Sequence, residues 1–562
     1  MPARESLIAA NVELEKRIFN SFIETAAREA LRTGDARLAS ESFQSVERNR
    51  AASLSESLDF RVSWRERLGP EYRQAMSELS TSEAAVAQGD VGAAEAVARL
   101  RLAIAEMEAK VGGHFSENRP ENFRSRTSLI DFQRGLSDRA LLLSLHVGER
   151  ESYLWVVTKK TLSLHKLPAA SEIRDEVARF RAAIRSGVPQ RESGSAANAA
   201  QTTVGQAARE EDRSEHIGER LYAALFGGLS REEANQREWL LSLDDALFEL
   251  PFAALLTERK GGKVKYLIEE HSVQVVPGAL FLAQSRTQRP DRSSTQLTDR
   301  EAGASGWFLG LGDPIYNEAD SRWTGAGRAK FTGWFAYAGT EPLSGQLSRL
   351  VGSASEVEAS ARSWTEGSVP VAAAGSLSAG TGSTTASLLE GASARRDRFL
   401  EMAAHRPAIV HLATHILMPV SSSSPGGGIA AGPKGEGMIA FGLGSGGGVE
   451  ALSTSEIGML DVPGAVVTMT GCASGGGDVR AGAGLLGLTR AWQLAGARAV
   501  IATAWPVEDT TGDLFAAFYR HLRSAPPPEA LRRSQVEMLR SGTWRSAAGY
   551  WASYQITGGA RP

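Results

Sequence analysis

Cysteine is nearly absent from this chain. Cys472 is the single one in 562 residues, which excludes an internal disulfide framework and a cysteine-rich zinc site. Long apolar runs are missing too. None approaches the ~18–20 residues of a membrane-spanning helix, so no membrane partner is expected. Neither sign of charge dominates: 62 Lys and Arg stand against 65 Asp and Glu, a formal net charge of −3 with a pI near 6.4. That balance carries no electrostatic footprint for nucleic acid. The first residues, MPARESLIAANVELEKR, break their apolar positions with charges, unlike a secretory signal, and a cytoplasmic protein is expected. The chain is too long for one core, so two to four domains are expected.

What is present is a pair of apolar, β-branched-rich runs. AIVHLATH (408–415) and PGAVVTMTGC (463–472) both read as buried parallel strands, and each ends on a reactive residue. His415 closes the first. Cys472 closes the second, 57 positions on (472 − 415). In an open α/β sheet the carboxyl ends of neighbouring strands share one crevice. A thiol and an imidazole can therefore meet there, as a cysteine protease requires.

Residues 5–58 and 71–113 read as two helical pairs, each turning at Gly-Asp, as in a helical repeat array or a plain helical hairpin. From residue 137 the period changes to that of strands. ALLLSLHVG and YLWVVTKKTLSLHKLP (153–168) predict a hairpin, EIRDEVARFRAAIRSG a helix, and the polar, small-residue segment 187–212 a flexible loop. FLGLGDP (308–314) predicts a strand and turn. Leu388–Ala404 reads as a helix, 421–437 as a Gly/Ser/Pro loop and 484–496 as a helix. ARAVIATAW (497–505) and YWASYQITG (550–558) read as the last strands. Strands alternating with helices predict a mainly parallel sheet covered on both faces.

Taken in order, the strand ending in ATH, the strand ending in TGCASG, the GLLGL helix, AGARAVIATAWPVED and YWASYQITG resemble CHAT domains, which are caspase- and separase-like cysteine proteases. YLWVVTKK, LSLDDALFELPFAALL, VVPGALFL and LGDP are similar to the family's N-terminal part, and the likeness covers roughly 137–558. ERNRAASLSESL looks like the last tetratricopeptide-like helix that usually precedes the domain. The resemblance implies an α/β caspase/separase-like fold behind an all-α N-terminal module. Its expected divisions are a helical module at 1–130, a structural half without a nucleophile at 137–285, and a catalytic half at 306–558. It also implies cleavage of a protein substrate, regulated in bacterial signalling or defence, with an activating protein partner on the N-terminal helices. Family members usually carry Gly after the catalytic His, and here Ile416 stands in its place. A β-branched residue does not easily adopt positive φ.

A free thiol is mostly protonated at neutral pH, and an adjacent imidazole takes that proton and later protonates the leaving amine. His415 and Cys472 form the candidate dyad, with the backbone N–H groups of Ile416 and Cys472 as oxyanion donors. His411, four residues earlier and deeper, reads as structural. No cofactor or metal is required. Asp478, Trp505, Glu508 and Asp509 are candidates for the pocket that holds the residue before the scissile bond. Carboxylates there favour Arg or Lys, although Asp509 equally suits a helix cap. Two other readings compete: a catalytically inactive CHAT-like scaffold, and a nucleotide-binding α/β domain. The second rests on GAGLLG (482–487), a formal G-x-G-x-x-G match.

Overall fold

A computed structural model describes residues 19–48, 50, 70–87, 92–112, 129–186, 197–261, 263–279, 306–324, 347–365, 385–417, 437–444, 448–471, 479–480, 484–485, 487–505 and 512–558. Eleven strands form one sheet. In chain order they are β1 Ala140–His146, β2 Ser152–Val157, β3 Leu162–Leu167, β4 Glu238–Ser242, β5 Ser272–Val275, β6 Phe308–Pro314, β7 Ala386–Gly391, β8 Ile409–Ala413, β9 Val466–Met469, β10 Ala499–Thr503 and β11 Tyr554–Gly558. Their order across the sheet is β3-β2-β1-β4-β5-β11-β10-β9-β8-β6-β7. Every residue of β1, β2, β6, β8, β9 and β10 is buried. These are the continuous apolar runs of a sheet covered on both faces, and the expected fold class is present.

Apart from the antiparallel β1–β2–β3 meander at one end, the sheet reverses direction once, in its middle. β1, β4 and β5 run parallel to one another and to β11. β11 is antiparallel to β10, and β10, β9, β8, β6 and β7 run parallel. The carboxyl ends of β1, β4 and β5 therefore lie at the opposite edge from those of β8 and β9. One sheet has two crevices, facing apart.

The first crevice is filled by the N-terminal helices. Gly34, at φ +74°, ends the helix over 19–33, and Asp35 Oδ1 accepts the Arg37 N–H at 2.8 Å to start the helix over 36–48. From the second helix Glu47 and Arg50 reach the strand ends, both buried. Arg50 Nη1 donates to Glu47 Oε1 (3.1 Å), Ser144 Oγ (3.0 Å) and the Ser242 carbonyl (2.9 Å), and Nη2 donates to the Leu145 carbonyl. Glu47 Oε2 accepts the Ala279 N–H at 2.5 Å. Beside them the buried His146 lies 3.3 Å from Asp244 and 3.9 Å from Glu24 of the first helix. Burial opposes its charging, but the two carboxylates outweigh burial and raise its pKa. The second helical pair, Pro70–Ala87 and Ala93–Gly112, meets the other half, where Pro70–Ala87 packs on the short strand Val449–Leu452.

Three expectations are corrected. Residues 197–212 are helical, forming the start of a helix over Ala197–Phe226, because ANAAQTTVGQAAREED is small-residue rich but has no Pro and one Gly, a composition that sustains a helix. Ala386–Gly391 is the edge strand β7, and only Arg396–Ala403 is helical. Gly484–Leu485 pairs with Val479–Arg480, so that helix begins at Leu488. The loop expected at 421–437 lies almost wholly outside the described residues.

Arg50→Met would leave the Glu47 carboxylate buried without its cation, a loss of roughly 3–5 kcal/mol. Hydrogen exchange over residues 19–48 should accelerate accordingly, and unchanged protection there would contradict this anchoring.

Candidate active site

His415 lies two residues beyond the end of β8. Its backbone is held on both sides: the carbonyl accepts the Ala440 N–H at 3.0 Å, and its own N–H donates to the Tyr316 hydroxyl at 3.3 Å. Thr414 Oγ donates to the Ala440 carbonyl at 2.6 Å, so the Tyr316 hydroxyl, 2.6 Å from Thr414 Oγ, is the donor of that contact. The Tyr316 ring packs on the imidazole at 4.9 Å between centroids.

The imidazole Nε2 is 2.8 Å from the carbonyl oxygen of Ser348. A carbonyl only accepts, so Nε2 carries the proton and Nδ1 is left with a lone pair. Burial lowers the His415 pKa, opposed by the hydrogen bond to Ser348. The neutral ring is favoured at neutral pH. A half-buried neutral imidazole with one nitrogen tied and the other basic is poised to take a proton.

β9 approaches from the neighbouring position. Beyond its end the Thr470 N–H donates to the Leu412 carbonyl at 3.0 Å, extending the ladder toward His415. Gly471 is buried, and its carbonyl accepts from Thr503 Oγ at 2.8 Å. A Cβ at this glycine would stand 2.2 Å from the Thr414 carbonyl oxygen and 2.8 Å from Ile416 Cγ1. The residue immediately before Cys472 is thus wedged against both neighbours of His415, and only glycine fits there. Cys472 itself lies outside the described residues, as do Asp478, Glu508 and Asp509.

Ile416 has no positive φ and pairs with Ile439 in a short antiparallel ladder. With the Ala440 N–H bonded to the His415 carbonyl, the Ile416–Ile439 pair is the non-hydrogen-bonded kind, so the Ile416 N–H faces away from the partner strand. An extended isoleucine therefore keeps a donor unused by the ladder, and the left-handed conformation is not adopted.

The remaining candidates are spread apart. His411 is fully buried, its Nδ1 2.9 Å from the Tyr519 hydroxyl and its Nε2 2.9 Å from Glu356 Oε1. Trp505 is a candidate for the pocket that holds the residue before the scissile bond. Its ring is fully covered, with the indole N–H donating to the Gly549 carbonyl at 3.2 Å. GAGLLG does not open a helix directly from a sheet strand, since β9 ends at Met469 and the Leu488–Leu494 helix begins 19 residues later (488 − 469). Sequence reasoning missed Ser348, Tyr316 and Asp313. Ser348 acts through its carbonyl, which no residue type announces, whereas Asp313 within the LGDP strand end and Tyr316 just after it were findable as its crevice residues. Among the described residues no group of three His, Cys, Asp or Glu side chains is placed to hold a metal ion, and no helix is long and apolar enough to cross a membrane.

A CHAT domain model matches residues 215–559, more than half of the chain. The protein belongs to the CHAT-domain family, the caspase-like group that its sequence resembles. No curated protein matches its sequence. Two crystal structures of the Saccharomyces cerevisiae separase–securin complex are similar at 11% identity, with TM-scores of 0.45 and 0.43. Each match covers 91% of this chain and 37% of the solved one, so this chain spans little more than a third of that protein's length.

Gly471→Ala should cost about 1–3 kcal/mol, because its methyl meets first a backbone carbonyl that cannot swing aside, and then the branched Ile416 side chain. Thermal unfolding should fall, and modification of Cys472 by a thiol reagent should slow. Wild-type values for both would contradict the wedge.

Proposed function

We propose that the protein is a cysteine endopeptidase in which Cys472 is the nucleophile and His415 the general base and acid. The observation that carries this reading is the imidazole of His415, half-buried and neutral, with Nε2 tied to Ser348 and Nδ1 basic, next to the strand end that runs into the sole cysteine. In the proposed reaction Nδ1 removes the Sγ proton and the thiolate attacks the scissile carbonyl. The N–H groups of Ile416 and Cys472 receive the developing oxyanion. The imidazolium then protonates the leaving amine, giving an acyl-thioester that water hydrolyses with the same histidine as base.

Specificity is proposed to favour a basic residue before the scissile bond, drawn by the carboxylates of Asp478, Glu508 and Asp509. The covered ring of Trp505 removes it from that proposal. Control by a protein partner on the N-terminal helices is proposed as well. It is supported by the packing of Pro70–Ala87 on Val449–Leu452, a strand paired with Met438–Leu443, which in turn pairs with Ile416–Leu417 beside His415. A cytoplasmic setting and a role in bacterial signalling or defence remain part of the same proposal.

A peptide electrophile with Arg before its reactive carbon should label wild-type protein once, as read by intact mass. Cys472→Ala should abolish labelling and His415→Ala should slow it by about 10²–10⁴-fold. Equal labelling of wild type and His415→Ala would favour the scaffold reading.

A further inference from the structure

The carbonyl that fixes the tautomer of His415 belongs to the Ser348–Arg349 peptide, and that peptide is itself pinned. Arg349 Nε and Nη2 donate to the two carboxylate oxygens of Asp313 at 2.8 and 2.7 Å. Asp313 sits at the carboxyl end of β6, buried, with φ +45°, a left-handed conformation that is costly for a residue with a side chain. Arg322 closes the cluster, donating to Asp313 (2.6 and 3.1 Å) and to Asp320 (2.6 and 3.0 Å). The neighbouring backbone is tied to the same strand end. Asn317 Nδ2 donates to the Leu347 carbonyl at 3.3 Å, the Asp313 N–H donates to Ser353 Oγ at 2.8 Å, and Ser353 Oγ donates to the Leu350 carbonyl at 2.7 Å.

We infer that Asp313 and Arg349 are positioning residues, whose bidentate pair aims the Ser348 carbonyl at Nε2 and thereby leaves Nδ1 as the basic nitrogen of His415. A buried carboxylate facing two guanidinium groups is far more than strand termination needs. Bidentate pairing restricts both partners in angle as well as distance, and the restricted atom lies one peptide from the carbonyl in question. Half of the Arg349 side chain remains exposed, so the pair is less about sealing a core than about fixing a direction. The inference rests on His415 being the catalytic base.

The test separates the two claims. In a Cys472→Ala background with ¹⁵N-labelled histidine, assigned through His415→Gln, the His415 ring should show one tautomer, protonated at Nε2. Asp313→Asn and Arg349→Met should each convert it to a mixture of tautomers, while Asp320→Asn, which removes a partner of Arg322 alone, should leave it single. With Cys472 restored, the first two variants should lose on the order of a hundredfold in kcat with KM nearly unchanged, the scale of a misplaced catalytic group. Arg349→Met, altering a half-exposed side chain, keeps the test open if Asp313→Asn does not fold. A single Nε2–H tautomer in Arg349→Met would overturn the inference, whether or not the protein proves to be a protease.

Discussion

The close approach of Gly471 to the Thr414 carbonyl is the constraint on which the site depends. Two parallel strands normally hold their neighbours at the ladder spacing of ~4.8 Å and let the chains diverge beyond the last hydrogen bond. Here the contact persists past the strand ends. The Thr470 N–H is bound to Leu412, Gly471 is pressed between Thr414 and Ile416, and Thr503 from the next strand holds the Gly471 carbonyl. Thr414 cannot yield easily, because its hydroxyl is engaged by Ala440 and Tyr316. The result is a seam in which both strand ends are oriented by backbone rather than by long side chains. His415 leaves that seam with its ring between Tyr316 and Ser348.

The reversal of strand direction between β10 and β11 gives the molecule its second property. The carboxyl ends of β1, β4 and β5 lie at one edge and those of β8 and β9 at the other, and the chain treats the two edges differently. One crevice is closed by Glu47 and Arg50 from the N-terminal helices, which satisfy Ser144, Leu145, Ser242 and Ala279. The other carries His415. A fully paired buried ion cluster adds little net stability, but it specifies one arrangement, since losing either partner is costly. That is a good way to dock a helical module in one register. The second helical pair then reaches across to Val449–Leu452, a strand of the small three-stranded sheet that begins at Ile416–Leu417, so the module touches both the first crevice and the sheet beside His415.

Much of this was legible in the residues. The apolar runs ending at His415 and leading to Cys472 are adjacent parallel strands, because 409–413 and 466–469 are mainly apolar and β-branched and contain no Pro or Gly. Gly34 and Asp35 mark the first helical turn for local reasons that hold in any context. Other features escaped. The helix over Ala197–Phe226 begins in a stretch whose small polar residues look aperiodic, and SLLEG at 387–391 reads equally as helix or edge strand until β6 is there to pair with it. The orientation of His415 depends on a backbone carbonyl 67 positions earlier, and the covering of Trp505 on a backbone carbonyl 44 positions later. Backbone partners leave no mark on composition or spacing.

The central claim is that the seam brings the only thiol under the influence of the His415 imidazole. The rate of alkylation of Cys472 by iodoacetamide, followed against pH, tests it without any knowledge of the substrate. With a single cysteine in the chain, the profile belongs to one group. The account predicts an apparent thiol pKa well below the ordinary ~8.5 in the wild-type protein, returning toward that value in His415→Ala. The same profile in both proteins, centred near the ordinary value, would contradict it.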